Sequence, residues 1–268
     1  MEWNAQVGSE HPVFPIFRAI SSNRIGSQAS LALLKANRLA SKAVSLLTRL
    51  VGQTILRSRT RQLLRIIAWA YARHRNEIAS LPPRTIRALV LAEDHRFYFH
   101  YGLDPIAMLR ALYRTLACGH VEGGSTLEQQ CARTICHLRG RTVGRKITEI
   151  ILATMISSVV PKRHVPGLYL CTAYYGYGLL GLDTASRHLT LDTKTIGGSA
   201  RLVAHLRYPW QRKEGHPFRA LAARRAEYVK ALLVRDDRDL SCSESSWSQQ
   251  HIKRGDMRSS SLPDARKL

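Results

Sequence analysis

The sequence predicts a mainly α-helical fold, and two observations support this. From residue 81 to about residue 232 the apolar residues recur mostly at helical spacing, with few alternating β-branched runs. A glycine turn at 123–124 precedes Ser125 and Glu128, a pattern typical of a helix N-terminus. At 268 residues the chain is long enough for one sizeable domain with additional segments at its ends.

Residues 1–80 are predicted to form a basic leader followed by an amphipathic helical segment. The leader reaches about residue 28, and one or two helices are expected from Leu31 to Ala79. Residues 1–80 contain 12 Lys and Arg against 3 Asp and Glu, a net charge of 12 − 3 = +9. Such a helix either lies in the interface of an anionic membrane or packs its apolar residues on the domain. The sequence leaves both interpretations open.

The main domain is predicted to span residues 81–234. Leu81-Pro82-Pro83 marks its start, because proline suits the first turn of a helix and disfavours helix in the residue before it. Beyond Arg235 the sequence is polar and contains few apolar residues. Residues 235–268 are therefore predicted to be a disordered tail.

The charge of the whole chain restricts its partners. With 41 Lys and Arg against 19 Asp and Glu, the net charge is 41 − 19 = +22. Three classes of polyanion fit this charge: nucleic acid, an anionic membrane surface and a pyrophosphate-bearing substrate. Nucleic acid is not expected, because the chain has no recognisable nucleic-acid-binding motif and only 7% aromatic residues.

The five cysteines form no C-x-x-C pair, so buried free thiols are expected rather than disulfides or a zinc site. No apolar run reaches the ~18–20 residues that a membrane span needs. The N-terminus also lacks the pattern of a signal peptide. Neither a transmembrane helix nor a signal peptide is thus predicted.

Glu93 is the best candidate for a catalytic group. If the helix continued past it, Arg96, Phe97 and His100 would share its face, three, four and seven residues on. A carboxylate among aromatic and basic side chains suits proton transfer near neutral pH. Further on, Ser125 and Glu128 form a possible capping box, whose free backbone N–H groups could bind an anion.

Four sequence blocks occur in a specific order. They are E-D-H-R-F-Y-F-H at 93–100, G-G-S-T-L-E-Q-Q at 123–130, R-K-I-T-E at 145–149, and Y-L-C at 169–171 with the Tyr- and Gly-rich stretch 174–182. Together they resemble glycosyltransferase family 51, which contains the bacterial peptidoglycan polymerases that occur alone or as the glycosyltransferase part of penicillin-binding proteins. The resemblance covers about residues 80–232 and implies a lysozyme-like, mainly α fold. The chain lacks the S-x-x-K and K-T-G motifs of a transpeptidase, so the monofunctional type is expected.

The resemblance implies a cell-wall enzyme that polymerises lipid II into glycan strands by inverting transfer and releases polyprenyl pyrophosphate. Glu93 would be the base, and Glu149 would assist departure of the leaving group or position basic residues. A divalent metal ion, Mg²⁺ or Mn²⁺, is the cofactor that the resemblance implies for this second role. No organic cofactor is implied. The location implied is the outer, periplasmic face of the inner membrane. The substrate-binding residues would be Ser125, Thr126, Gln129, Gln130, Arg133, Arg145 and Lys146.

Several positions depart from the family pattern. Arg133 stands where lysine is usual, Cys171 replaces the asparagine of Y-L-N, and Ser157 replaces an acidic residue. Pro166 falls where the family has an uninterrupted helix and is expected to kink or break it. Two alternatives therefore stay open. The chain could be a catalytically impaired relative that acts as a membrane- or peptidoglycan-associated scaffold, and residues 145–149 could be a solvated ion-pair cluster.

Overall fold

The computed structural model describes residues 28–54, 57–118, 123–140, 142–213 and 215–259. The leader before residue 28 and the end of the predicted tail after residue 259 lie outside the described residues. The described part is mainly helical, as predicted. Its helices are α1 (Gln28–Thr54), α2 (Arg57–Ser80), α3 (Pro83–Glu93), α4 (Pro105–Cys118), α5 (Leu127–Ile135), α6 (Val143–Met155), α7 (Val165–Thr172), α8 (Leu182–His188), α9 (Ile196–Arg207) and α10 (Pro217–Ser259); a short hairpin consists of β1 (Tyr174–Gly176) and β2 (Leu179–Leu180).

The described residues form two compact units. The first contains the residues up to 81 together with 93–173, and the second contains 82–92 together with the residues from 174 onward. Every residue that the sequence nominated for the candidate site lies in the first unit. The predicted boundaries at 80/81 and 234/235 stay predictions, and α10 continues to Ser259, beyond the predicted start of the tail.

The first unit is built by helix packing. Helix α1 packs against α6, α5 packs against both α6 and α7, and α2 packs against α7. The first turn of α6 is capped by Thr142, whose hydroxyl accepts a hydrogen bond from the Arg145 backbone N–H at 3.2 Å. This cap fixes where α6 begins. The core between the helices includes the fully buried side chains of Ile67, Phe97, Leu127, Leu152 and Leu168.

Helix α1 packs its polar side against the rest of the first unit. The Ser41 hydroxyl donates to the Leu103 carbonyl at 2.6 Å and accepts from the Tyr101 N–H at 2.8 Å. Of the two interpretations left open for this segment, packing of the apolar residues on the domain does not apply to the exposed leucines of α1, because hydrogen bonds from its small polar side chains join it to the unit. The exposed leucines of α1 are Leu31, Leu39, Leu46, Leu47 and Leu50.

Pro166 lies in the first turn of α7. A proline at this position removes no helical hydrogen bond, because the first N–H groups of a helix have no partner within it. The expected kink is therefore absent from α7. Three-residue 3₁₀ turns, Ile156–Ser158 and Lys162–His164, separate α6 from α7.

The second unit contains the hairpin and the pair α9 and α10. Strands β1 and β2 are antiparallel, and α9 packs against α10. The Thr85 hydroxyl, on α3, donates to the Thr193 carbonyl at 2.8 Å and lies 3.0 Å from the Ser199 hydroxyl on α9. In neither unit does a described helix have the length and apolar character required to cross a bilayer.

Gly102 should be essential for the stability of the first unit. Its φ is +88°, and a Cβ atom there would collide with the backbone carbonyl of Ala153. Gly140 is a matched control, with φ +89° and open space around it. Gly140→Ala should cost about 1 kcal/mol for the left-handed backbone, and Gly102→Ala about 1–3 kcal/mol more for the collision. Urea unfolding of both variants measures this, and equal costs would contradict the packing described.

Candidate active site

Glu93 is the last residue of α3 and is half-buried. The chain leaves the helix at Asp94, and the Phe97 N–H bonds the Asp94 carbonyl at 2.8 Å. The prediction that Glu93, Arg96, Phe97 and His100 share one helical face is therefore wrong. Arg96 donates instead to Asp104 at 2.8 Å, and both side chains are buried. Such side-chain contacts compete with continuation of the helix.

Asp94 connects this turn to the start of α5. Its carboxylate accepts from the Leu127 backbone N–H at 3.0 Å and lies 3.1 Å from His100 Nε2. A carboxylate at a helix N-terminus is favoured by the helix dipole and by the unpaired N–H groups there. Asp94 thereby holds the segment that follows Glu93 against α5.

The N-cap of α5 is Thr126, so the predicted capping box of Ser125 and Glu128 is wrong. The Thr126 hydroxyl accepts from the Gln129 N–H at 3.4 Å and donates to the Gly102 carbonyl at 2.9 Å. Because the Leu127 N–H donates to Asp94 and the Gln129 N–H donates to Thr126, these two N–H groups of the first turn are not available to bind an anion. Ser125 does not cap the helix, and its hydroxyl instead accepts from Lys146 Nζ.

Glu128 points into the protein instead of capping the helix. It is buried, and it accepts from Lys162 Nζ at 2.7 Å. The same ammonium lies 4.3 Å from the centre of the buried Phe97 ring. Burial opposes protonation of His100, but the hydrogen bond and charge of Asp94, with the charge of Glu128, outweigh it and raise the His100 pKa.

A second set of charges surrounds Glu149. Lys146 Nζ donates to Ser125 Oγ at 2.8 Å and to Gln129 Oε1 at 2.6 Å, and lies 3.6 Å from Glu149 Oε2. Arg145 donates to the other carboxylate oxygen of Glu149. Burial, with the charges of Arg133 and Arg145, lowers the Lys146 pKa, and Glu149 opposes this.

This arrangement is not a solvated ion-pair cluster. The Glu149 side chain is 1% exposed, whereas those of Arg145 and Lys146 are 18% and 36% exposed. A buried carboxylate thus holds two cationic side chains that are partly exposed. Charges in such an environment interact more strongly than exposed pairs do.

Glu93 and Ser125 line the same pocket, which also contains His95 and Arg110. Burial first, then the charges of Arg96 and Arg110, lower the His95 pKa to about 4. Ser125 also accepts from Lys146 Nζ, so one residue contacts both the pocket of the candidate base and the cations around Glu149.

Tyr169 lies close to the same region. Burial and the nearby carboxylate of Glu93 raise its pKa, while the charge of Arg133 opposes this. Tyr169, the tyrosine of Y-L-C on α7, therefore lies close enough to Glu93 and Arg133 for both charges to affect its pKa.

The structure brings most of the predicted site residues together. Ser125, Gln129, Arg145, Lys146 and Glu149 are joined by direct contacts, and Thr126 caps the helix that carries Gln129. Arg133 is exposed and acts on Lys146 through its charge. Gln130 is half-buried on the same helix, and the described side-chain contacts do not link it to this group.

Sequence reasoning missed Asp94, Lys162 and Tyr169. Asp94 and Tyr169 lie inside motifs that were recognised, so their positions could have indicated that they belong to the candidate site. Lys162 lies between the motifs and gave no signal. Among the departures, Ser157 accepts from Arg49 of α1 at 3.0 Å, and Cys171 is buried on α7.

Comparison with known families identifies the architecture. A family model described as Transglycosylase matches residues 61–233, more than half of the chain. The chain belongs to the transglycosylase family. The resemblance to glycosyltransferase family 51 and its lysozyme-like, mainly α fold is thereby confirmed. The family match covers every candidate site residue described above.

Individual relatives of the family match different shares of the chain. Penicillin-binding protein 1A of Aquifex aeolicus is 39% identical over 111 residues, which are 41% of this chain and 15% of the relative. Penicillin-binding protein 1A of Escherichia coli is 39% identical over 124 residues, 45% of this chain and 15% of the relative. A biosynthetic peptidoglycan transglycosylase of Rhizobium johnstonii is 29% identical over 159 residues, 58% of this chain and 65% of the relative. The chain thus spans a small part of the length of the penicillin-binding proteins that it matches.

The raised pKa of His100 predicts a pH-dependent stability. Because its folded-state pKa lies above the ordinary value of 6.5, the stabilisation is fully present below that pH and is lost as pH rises through the folded-state value. Asp94→Asn should flatten this dependence, as measured by urea unfolding from about pH 5 to about pH 9.

His205 is a control, because its contribution to stability should change with pH in the opposite direction to that of His100. Burial lowers the pKa of His205, so its contribution to stability increases as pH rises, and His205→Gln should remove that increase. A pH dependence unchanged by Asp94→Asn would contradict the Asp94–His100 coupling.

Proposed function

We propose that the chain is a peptidoglycan glycosyltransferase that polymerises lipid II into glycan strands. The observation that carries this proposal is the pairing of a half-buried carboxylate, Glu93, with cations ordered around the buried Glu149 in one region. The family match and the relative described as a biosynthetic peptidoglycan transglycosylase support the same reaction. A glycan hydrolase, whose leaving group carries no pyrophosphate, would not need these cations.

Glu93 is proposed as the general base. The 4-hydroxyl of one lipid-linked disaccharide attacks carbon 1 of the growing chain, and its proton passes to the carboxylate as the new C–O bond forms. The bond from carbon 1 to the pyrophosphate oxygen breaks on the opposite face, and its electron pair leaves with the pyrophosphate. Inversion therefore needs a base on one side of the anomeric carbon and positive charge on the other.

Arg145 and Lys146 are proposed to bind the departing pyrophosphate, with Arg133 adding charge at the edge. Lys146 is already oriented by Ser125 and Gln129, and Arg145 by Glu149. Donors that are fixed before the reaction stabilise developing charge without reorganisation. The proposed role of Glu149 is accordingly to position the cationic side chains of Arg145 and Lys146.

The divalent metal ion expected near Glu149 stays a prediction. Both carboxylate oxygens of Glu149 contact cationic side chains. Within the part of the chain that the structure describes, no cluster of three ligating residues includes Glu93 or Glu149. This donor set does not fit a metal ion as arranged, and no step of the mechanism is derived through one.

We further propose that the first unit binds an anionic membrane at the outer face of the inner membrane. The exposed leucines of α1 alternate with basic residues such as Lys35, Arg38 and Lys42. Leu109, Leu112 and Leu116 of α4 are also exposed and share one helical face. Apolar side chains among cations are typical of a helix at a lipid interface.

The first test addresses the base. Glu93→Gln should abolish polymerisation of lipid II while changing the free energy of unfolding by less than about 1 kcal/mol, because the shape is kept and the proton acceptor is lost. Glu227→Gln, at an exposed glutamate of α10, is the control and should keep full activity. Polymerisation at the wild-type rate by Glu93→Gln would exclude Glu93 as the base.

The second test addresses the leaving group and separates an enzyme from a scaffold. Arg145→Ala should reduce turnover roughly a hundredfold, corresponding to about 2–3 kcal/mol of transition-state stabilisation. Glu149→Gln should also slow turnover, because it frees both cations. Arg187→Ala, which breaks the exposed pair of Arg187 with Asp183, is the matched control and should have no effect. Wild-type rates in all three variants would indicate that the cluster is structural.

The third test addresses the membrane. The full chain should float with anionic liposomes and dissociate as salt increases, because exposed charges are screened over ~8–10 Å at physiological ionic strength. Replacing Leu39, Leu46 and Leu50 with glutamate should abolish flotation. Leu180→Glu, at an exposed leucine of the second unit, should not. Equal flotation of the triple variant would contradict binding through α1.

A further inference from the structure

His74, Glu77 and Cys171 form a cluster that the proposed reaction does not use. Each offers one ligand atom, and the three atoms lie within 4.8 Å of one another. His74 Nδ1 is 2.8 Å from Glu77 Oε2. The Cys171 thiol also hydrogen-bonds Glu77. None of the three side chains belongs to the group around Glu93 and Glu149.

Two neighbouring helices build this cluster. His74 and Glu77 are three residues apart on α2 and therefore share one face. Cys171 lies on α7, which packs against α2. The helices approach closely at Gly167, where a Cβ atom would come within 3.0 Å of the Ile78 side chain. Close packing at this point holds the thiol beside the imidazole and the carboxylate.

The donor set is the one that zinc uses in proteins. An imidazole nitrogen, a carboxylate oxygen and a thiolate sulfur bind Zn²⁺ at roughly 2.0–2.3 Å, which separates neighbouring ligands by roughly 3–4 Å. The three ligand atoms here lie within 4.8 Å of one another, close to that spacing. Three protein ligands leave a fourth position for water, as in zinc sites with an open coordination position.

Access from solvent also suits a metal ion. The side chains of His74 and Glu77 are 28% and 32% exposed, whereas Cys171 is buried at 3%. A metal ion can therefore reach His74 and Glu77 from solvent on the side of α2 and bind the buried sulfur of Cys171. Binding would replace the S–H bond with a sulfur–metal bond and release the proton to solvent, a change that needs no oxidant or reductant.

We propose that His74, Glu77 and Cys171 form a binding site for a divalent transition metal of the zinc type, which joins α2 to α7. This site is independent of the proposed glycosyltransferase activity. Cysteine spacing predicted no zinc site, because spacing rules require paired ligands and here a His-x-x-Glu pair meets a single distant cysteine. Cys171 is also the residue that replaces the asparagine of Y-L-N, so the proposal assigns a role to that departure.

The test is titration of the full chain, first freed of metal with a chelator, with Co²⁺ and then with Zn²⁺. The wild type should bind one Co²⁺, show a thiolate-to-cobalt charge-transfer band, and lose that band as Zn²⁺ displaces the cobalt. Zn²⁺ should also raise the temperature of unfolding.

Variants assign the ligands. Cys171→Asn introduces the residue of the family motif and should fold, yet lack the charge-transfer band. His74→Gln and Glu77→Gln change half-exposed side chains and should each weaken Zn²⁺ binding by at least about tenfold. Cys136→Ser, which removes another free thiol, should behave as the wild type. A wild type without stoichiometric binding, or a charge-transfer band that survives Cys171→Asn, would overturn the proposal and leave a structural hydrogen bond between Cys171 and Glu77.

Discussion

The buried carboxylate of Asp94 is the contact on which the rest of the candidate site depends. It binds the first N–H group of α5 and the ring of His100, and so joins two segments that are distant in sequence. Because α3 ends immediately before Asp94, this contact also sets where Glu93 lies. The same contact places the start of α5, and with it Ser125 and Gln129, beside the cations of α6. The candidate base and the candidate pyrophosphate-binding residues are thus positioned by one polar junction.

The chain has a net charge of +22, and several buried carboxylates hold specific cations. Asp104 pairs with Arg96, Glu128 with Lys162, and Glu149 with both Arg145 and Lys146. Removing one partner of such a pair leaves an uncompensated buried charge, so each of these pairs is costly to break. Around Glu149 the result is a pair of partly exposed cationic side chains in fixed positions, the property that the proposed pyrophosphate leaving group requires.

Helical periodicity and motif order predicted the helical fold and the family, and they nominated the candidate residues that the structure brings into contact around Glu149. They did so because local helix patterns and short motifs are properties of neighbouring residues. The end of α3 and the cap of α5 were predicted wrongly, since each depends on hydrogen bonds across the fold: Asp94 to Leu127, and Thr126 to Gly102. The roles of Lys162 and of the cluster at Cys171 were invisible for the same reason. The polar packing face of α1 was also missed, because the apolar spacing there describes the exposed side.

Polymerisation of lipid II by the purified chain in detergent tests the central claim most directly, with moenomycin as the control inhibitor. The account predicts glycan strands longer than the starting disaccharide, release of polyprenyl pyrophosphate, and loss of both products when moenomycin is added. A folded protein that forms no strands and does not bind moenomycin would contradict it, and would favour the scaffold alternative.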